Sequence, residues 1–323
     1  MWGFWTSPRP KTWVPTVGAA HTLLVVAGKV PLGDSGLLYA SGRAATIGAP
    51  AGASVVRVAD GIDAMDADSL AAGRLAELIG SAVDWQPPHS LLGLAGKKLL
   101  AEAEATAVCD AVSLLGWHRA NQHSGADGSE TKPGELPGRR RFLSSGRSLY
   151  PRVDPVAIVL CESADGQRCL LGRGSKFPPG MYTCIAGFVE HAESAEAAAA
   201  REVAEETCVR VGPVALVASQ PWPCGRGGAC EIMLACAACA EPGGEAIDVS
   251  GGAAGEVAGE LEDARWFTRE EVREMLAREA GSAASFWVPP PFAIANRMIM
   301  RWADADPAWP TLGSPPREAL SAL

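Results

Sequence analysis

No uncharged apolar run in this 323-residue chain reaches the roughly 18 residues a membrane-spanning helix needs, so a membrane protein is not expected. Positive charge is also short. The chain has 28 Lys and Arg against 37 Asp and Glu, a formal net charge of −9. It therefore lacks the basic footprint of a protein whose main task is gripping nucleic acid, and strong nucleic-acid binding is not expected. The 36 glycines and 24 prolines stay below the share that marks low-complexity sequence. With 48% hydrophobic and 20% charged residues, the composition is that of a folded chain, long enough for about two domains. No internal repeat is apparent. The nine cysteines are odd in number, in a chain too long to need disulfide staples. That usage points to reduced thiols in an intracellular compartment, cytoplasmic or mitochondrial.

Acidic residues are absent from Met1 to Gly33, where the only charges are Arg9, Lys11 and Lys29. A transit segment is one reading. Against it, Pro8, Pro10 and Pro15 spoil an amphipathic helix, and His21 to Gly28 reads as a buried strand ended by glycine. Residues 34 to about 88 alternate short apolar runs with Gly, Ser and Asp, as in a small α+β unit. From Lys97 to His118 the pattern predicts one long helix, with Leu99, Leu100, Ala103, Ala107, Val108, Val112 and Leu115 as its buried stripe. Gln122 to Arg147 has no periodicity and reads as a linker, with Arg139, Arg140 and Arg141 as a solvated basic run. The expected organisation is an N-terminal α+β domain (1–115), a linker (116–150), a main domain (151–303) and a loose tail (304–323).

In the main domain, Val156 to Leu160 reads as a central strand, followed by a turn at Asp165-Gly166 and strands at Leu170-Leu171, Tyr182 to Ala186, Val214 to Ala218 and Met233 to Ala240. Between them lies the segment richest in chemistry, Gly187 to Val209. Ser194 is a natural N-cap, and Ala197 to Ala200 favour a helix running through Glu206. On such a helix Glu202, Glu205 and Glu206 share one face, with Cβ atoms about 5–6 Å apart. Folding gains nothing from that crowding. A hard divalent cation does, because Mg²⁺ and Mn²⁺ take oxygen ligands and tolerate open water positions. The plain alternative is a surface helix with solvated glutamates.

The arrangement resembles the signature of the Nudix hydrolases, in which a glycine, a glutamate, an Arg-Glu pair, an aliphatic, a Glu-Glu pair, a second glycine and another aliphatic follow at fixed spacing. Gly187, Glu193, Arg201, Glu202, Val203, Glu205, Glu206 and Val209 all fit, a coincidence on the order of once in 10⁵ chains of this length. One position departs, since the second glycine is Cys208. A side chain held in the left-handed conformation costs roughly 1–2 kcal/mol, so a slightly altered helix exit is expected there, and an inactive nucleotide-binding protein stays open as a reading.

Further on, Ser219-Gln220-Pro221-Trp222-Pro223 is similar to the element marking the NADH pyrophosphatase branch of the family. The prolines would make a rigid loop from which Trp222 offers a ring face to a flat heterocycle. The likeness then falters, because the segment Cys224 to Leu234 is longer and lacks the branch's aromatic. Trp117-His118-Arg119, Tyr150-Pro151, Glu260 to Phe267 and Phe286 to Ala295 look like the same branch. The resemblance covers about 100–303 and implies an α/β/α sandwich around a mixed sheet, closed by a helix from Phe292 to Trp302. It implies metal ligation by the Ala186 carbonyl, Glu202, Glu205, Glu206 and Glu260, and substrate contacts at Tyr150, Gln220, Pro221, Trp222, Pro223 and Ala295. Arg201 would pair with Glu193 and hold the loop.

By the same resemblance, two or three Mg²⁺ or Mn²⁺ ions would assist hydrolysis of NADH, NAD⁺ or NADPH to a nicotinamide mononucleotide and AMP, with Glu206 or Glu205 as base. Other members cleave ADP-ribose, FAD or NAD-capped RNA, and these remain alternatives. A homodimer is implied by the branch alone. Where many relatives carry a four-cysteine zinc ribbon, this chain has Ser124, Asp127, Phe142 and Ser145, which cannot build a closed thiolate site, so no structural zinc is expected. Cys236-Ala-Ala-Cys239 has metal-type spacing but lies in an apolar strand where cysteine is an ordinary core residue. His191 reads as a solvated loop histidine. Gly172-x-Gly174 lacks the rest of a phosphate loop.

Overall fold

The computed structural model describes residues 21–33, 36–41, 44, 53–59, 62–81, 83–87, 90–91, 102–134, 140–223, 225, 229–250, 260–278 and 286–310. The chain divides into two compact units. One comprises Met1–Val153 with Pro221–Glu231, the other Asp154–Gln220 with Ile232–Leu323.

In the first unit, β1 (His21–Val25), β4 (Ala40–Ser41), β5 (Val55–Ala59) and β6 (Ile62–Asp66) form a sheet in the order β4-β1-β6-β5, with β1 and β6 parallel. The expected strand at His21 stops at Val25, and the chain turns through Ala27 and Gly28, both at positive φ. A second sheet joins β2 (Val30–Gly33), β3 (Gly36–Leu37) and β7 (Asp84–Gln86). Two helices accompany them, α1 (Ala72–Ile79) and α2 (Glu102–Ala120). Val108, Val112 and Leu115 of the predicted stripe are buried, while Leu99 and Leu100 lie outside the described residues.

The segment expected as a linker is folded. Strands β8 (Thr131–Pro133), β9 (Arg141–Leu143) and β10 (Ser148–Leu149) make a three-stranded antiparallel ribbon. No hydrophobic period announced it, because hydrogen bonds rather than apolar packing hold it. Arg141 is buried and donates from Nε to Thr131 Oγ1 at 2.6 Å and from Nη2 to the Thr131 carbonyl at 2.8 Å, with His118 Nδ1 3.4 Å from Nη1. The Asp127 carboxylate accepts from the backbone and hydroxyl of Ser129 at 3.0 and 2.7 Å, bonds that hold its pKa low. The arginine run is therefore split rather than uniformly solvated: Arg140 is exposed, Arg141 is interior, and Arg139 falls outside the described residues.

In the second unit a six-stranded sheet contains β11 (Val153–Glu162), β12 (Arg168–Gly174), β13 (Ile185–Phe188), β14 (Val211–Trp222), β15 (Cys230–Ala240) and β16 (Leu261–Thr268). The order is β14-β15-β11-β12-β16, with β13 also on β11. Six consecutive residues of β11, Val156 to Cys161, are buried, which requires cover on both faces of the sheet. Helix α3 (Ala195–Thr207) supplies one cover, setting Ala198, Ala199 and Val203 against Ala157, Val159 and Ile185. Helices α4 (Arg269–Ala277) and α5 (Ile294–Ala303) pack on each other, and α4 also touches β16. This is an α/β architecture.

Gly172 and Gly174 sit in β12. The tail is not loose from Asp304. Trp309 is buried, and its indole N–H donates to Glu162 Oε1 at 2.8 Å, while residues 311–323 lie outside the described residues. Cys236 and Cys239 lie in β15, where Cys236 is buried in the core that underlies α3.

Candidate active site

Ser194 caps α3 by accepting the Ala197 N–H at 3.1 Å, and the alanines that follow let the helix seat closely on the sheet. This fixes the azimuth of Glu202. Its side chain turns inward over Gly187 of β13, where a β-carbon would fall 1.9 Å from Glu202 Cδ. The residue is only 8% exposed, and burial raises the pKa of its carboxyl; Arg201 opposes that shift, whereas Glu205 and Glu260 add to it. Glu205 and Glu260 thus each lie within electrostatic reach of Glu202, although Glu260 itself, just before β16, is exposed.

Arg201 ties the cluster together. Its guanidinium donates to Glu193 from Nε at 2.9 Å and from Nη2 at 3.0 Å, to the Phe188 carbonyl at 2.8 Å, to Glu202 Oε1 at 2.8 Å and to Glu205 Oε2 at 2.9 Å. The Glu193 carboxylate also accepts the Glu190 backbone N–H at 3.0 Å, which closes the loop before the helix. Hydrogen bonding from Arg201 holds the Glu193 carboxyl below its usual range. His191, in the same loop, is exposed.

Glu206 is half-buried on α3, four residues beyond Glu202. Ala186 precedes Gly187 in β13. Among the described residues no group of three or more His, Cys, Asp or Glu side chains is placed to hold a metal ion. The donors are all oxygens, Glu202 is desolvated, and Gly187 keeps its carboxylate seat clear. That suits a hard cation held by one or two carboxylates together with water and substrate phosphate.

Helix α3 ends at Cys208, its C-cap. The residue takes φ 60°, ψ 5°, the left-handed conformation that a glycine would adopt, and its N–H still closes on the Ala204 carbonyl at 2.9 Å. A side chain is thus held in the left-handed conformation at this residue.

The expected substrate contacts divide between the units. Gln220 and Ala295 belong to the second. Gln220 is buried, donating to the Phe292 carbonyl and accepting from the Ile294 N–H, both at 2.8 Å. Both ends of its amide therefore fix the start of α5, where Ala295 is buried. Asn296 adds a bond to the Pro289 carbonyl at 2.7 Å, a contribution with no motif in the sequence. Tyr150, Pro221, Trp222 and Pro223 belong to the first unit. Tyr150 is 62% exposed, Pro223 is buried, and Pro221 and Trp222 end strand β14 instead of forming a loop.

Residues 151–286 match the family profile described as NUDIX domain. That stretch is a Nudix domain. The chain is 41% identical over 216 residues to the human NAD-capped RNA hydrolase NUDT12, covering 64% of this chain and 44% of that protein. It is 36% identical over 234 residues to the human mitochondrial NAD(P)H pyrophosphatase NUDT13, covering 71% and 61%. With the NAD-capped RNA hydrolase NudC of Mycobacterium bovis it shares 35% identity over 210 residues, covering 64% and 63%. The chain thus spans less than half of the first relative and less than two thirds of the other two. The similar proteins include forms named mitochondrial and chloroplastic, and among the described residues no helix is long and apolar enough to cross a membrane. The Nudix match and the bonding around Arg201 fall on the same residues.

Proposed function

We propose that the Nudix domain hydrolyses the pyrophosphate bond of NADH and its relatives NAD⁺ and NADPH, releasing a nicotinamide mononucleotide and AMP. The names of the similar proteins support this substrate class. The observation that carries the reading is the seat of Glu202, a desolvated carboxylate over a glycine, bonded to Arg201 within a group of acids.

Glu202 and Glu206 would hold Mg²⁺ or Mn²⁺, with Glu260 and the Ala186 carbonyl as further oxygens. Bound divalent cations offset the charge of the diphosphate and acidify a water. Arg201 opposes the upward shift that burial gives the Glu202 carboxyl and holds the Glu190–Glu193 loop closed beside it. Glu205, exposed and hydrogen-bonded to Arg201, or Glu206 takes the proton of the water that attacks phosphorus. The bond from phosphorus to the bridging oxygen breaks, and each product leaves as a monophosphate. Gln220 acts as a positioning residue by setting the start of α5, and Trp222 offers a face to a base.

The test is to incubate the purified protein with Mg²⁺ or Mn²⁺ and NADH, NAD⁺, ADP-ribose or FAD, and to resolve the products. AMP and reduced nicotinamide mononucleotide from NADH are expected, and Glu206→Gln should abolish their release. Intact NADH beside cleaved ADP-ribose would overturn the substrate assignment.

A further inference from the structure

The loop that leaves β12 is held by its carbonyls. Phe177 donates its N–H to the Gly174 carbonyl at 3.0 Å and Met181 to that of Pro178 at 3.1 Å, closing two turns. Arg173 donates from Nη1 to the Pro178 carbonyl at 2.6 Å and from Nη2 to that of Phe177 at 3.4 Å. The buried Trp287 takes the next two: its indole N–H reaches the Pro179 carbonyl at 3.0 Å and its backbone N–H the Gly180 carbonyl at 2.9 Å. Pro178 and Pro179 fix φ as well. The carbonyls of residues 177 to 180 are thus all bonded, in a loop whose residues 175 to 179 are exposed.

On this rigid support stands an aromatic ring that the fold does not bury. Phe177 is 36% exposed. Scattered exposed apolar side chains are ordinary, so exposure alone assigns nothing; the position does. The register of β12 and β16 shifts between Arg173 and Gly174, which sets Gly174 opposite Leu261 and the loop beside Glu260. A β-carbon on Gly174 would lie 3.6 Å from Phe177 Cε2 and 3.7 Å from the Glu260 carbonyl oxygen, so the ring and Glu260 flank one point. Glu260 in turn lies within electrostatic reach of Glu202. The ring therefore borders the acidic cluster, and it offers an apolar surface for an uncharged part of a ligand.

Resting on the reading that these acids receive the diphosphate, we propose that Phe177 is a specificity-determining residue whose ring stacks on the adenine of the substrate. NADH carries two bases, but its dihydronicotinamide ring is not aromatic, whereas adenine is a flat aromatic heterocycle with a full π face. Stacking of a base on an aromatic side chain is worth about 1–3 kcal/mol by alanine substitution. Every ligand with an adenosine diphosphate half shares the contact.

The full chain and its Phe177→Ala, Phe177→Leu and Phe177→Tyr variants are compared in steady-state NADH hydrolysis, and AMP and reduced nicotinamide mononucleotide are titrated into each by calorimetry. Phe177→Ala should raise KM for NADH roughly tenfold, with kcat and Tm little changed. The affinity for AMP should fall by a similar factor, and that for reduced nicotinamide mononucleotide should not. Phe177→Tyr should keep the wild-type values. Phe177→Leu should share the defect, because it keeps bulk without the ring. An unchanged KM, a fall in kcat alone, no binding of AMP, a loss confined to reduced nicotinamide mononucleotide, or wild-type behaviour of the leucine variant overturns the proposal. If the wild-type protein leaves NADH intact while AMP binds and Phe177→Ala weakens it, the hydrolase reading fails and the stacking stands.

Discussion

Gly187 and Glu202 share one volume: a methyl group at position 187 would lie 1.9 Å from Glu202 Cδ and 2.0 Å from its Oε1. The carboxylate is the end of a flexible side chain, so it would swing aside at little cost to folding. Gly187→Ala should therefore lower kcat for NADH about a hundredfold or more, with Tm nearly unchanged. Steady-state kinetics beside a thermal melt checks this. A variant with normal turnover would show that the carboxylate's placement is unimportant.

Arg201 is the sole guanidinium bonded to Glu193, Glu202 and Glu205 among the described residues. Arg201→Ala leaves these acids facing one another and removes the bond to the Phe188 carbonyl. Stability should fall by about 2–3 kcal/mol in urea denaturation, together with activity. Arg201→Lys should recover only part of it, because one ammonium cannot reproduce the forked contacts.

Cys208 pays for its left-handed backbone, and Cys208→Gly should remove that strain. Because glycine loses more entropy on folding, the net gain is about 0.5–1 kcal/mol. A rise in Tm without change in kcat is the expected result; a fall would mean the thiol makes compensating contacts.

Gln220→Leu deletes both bonds to the start of α5 and removes the side-chain acceptor of the buried Ile294 N–H. A loss of about 1–3 kcal/mol follows from the buried N–H that loses its acceptor. Gln220→Glu should restore only the acceptor half. Chemical denaturation of the two variants separates these effects.

Burial pushes the thiols of Cys184 and Cys236 up to about 12 from an ordinary 9, and raises Cys161 and Cys169 as well. The folded state thus holds these protons where the unfolded chain releases them. Their contribution to stability is full below pH 9 and is lost as the pH climbs from there towards 12. At pH 8, iodoacetamide should label the half-buried Cys208 while Cys161, Cys169 and Cys184 react only after denaturation, which mass spectrometry of the labelled peptides resolves.

The sequence by itself determined helix α3 and the neighbours on it. Helical spacing is local, so Ser194 as cap, the alanine run, and Glu202, Glu205 and Glu206 on one helix are set by residues only a few positions apart. The central strand was equally legible, since six buried residues in β11 leave a continuous apolar run. Only the tertiary structure decided that Gly187 seats Glu202, that Gln220 is committed to α5, and that 116–150 forms a ribbon. Gln220 and Ile294 are 74 positions apart and meet through a backbone N–H, a group that every residue except proline carries and that leaves no trace in composition. The ribbon is held by the buried Arg141 and by Ser and Thr hydroxyls, polar groups whose pattern reads as loop until a fold removes them from water.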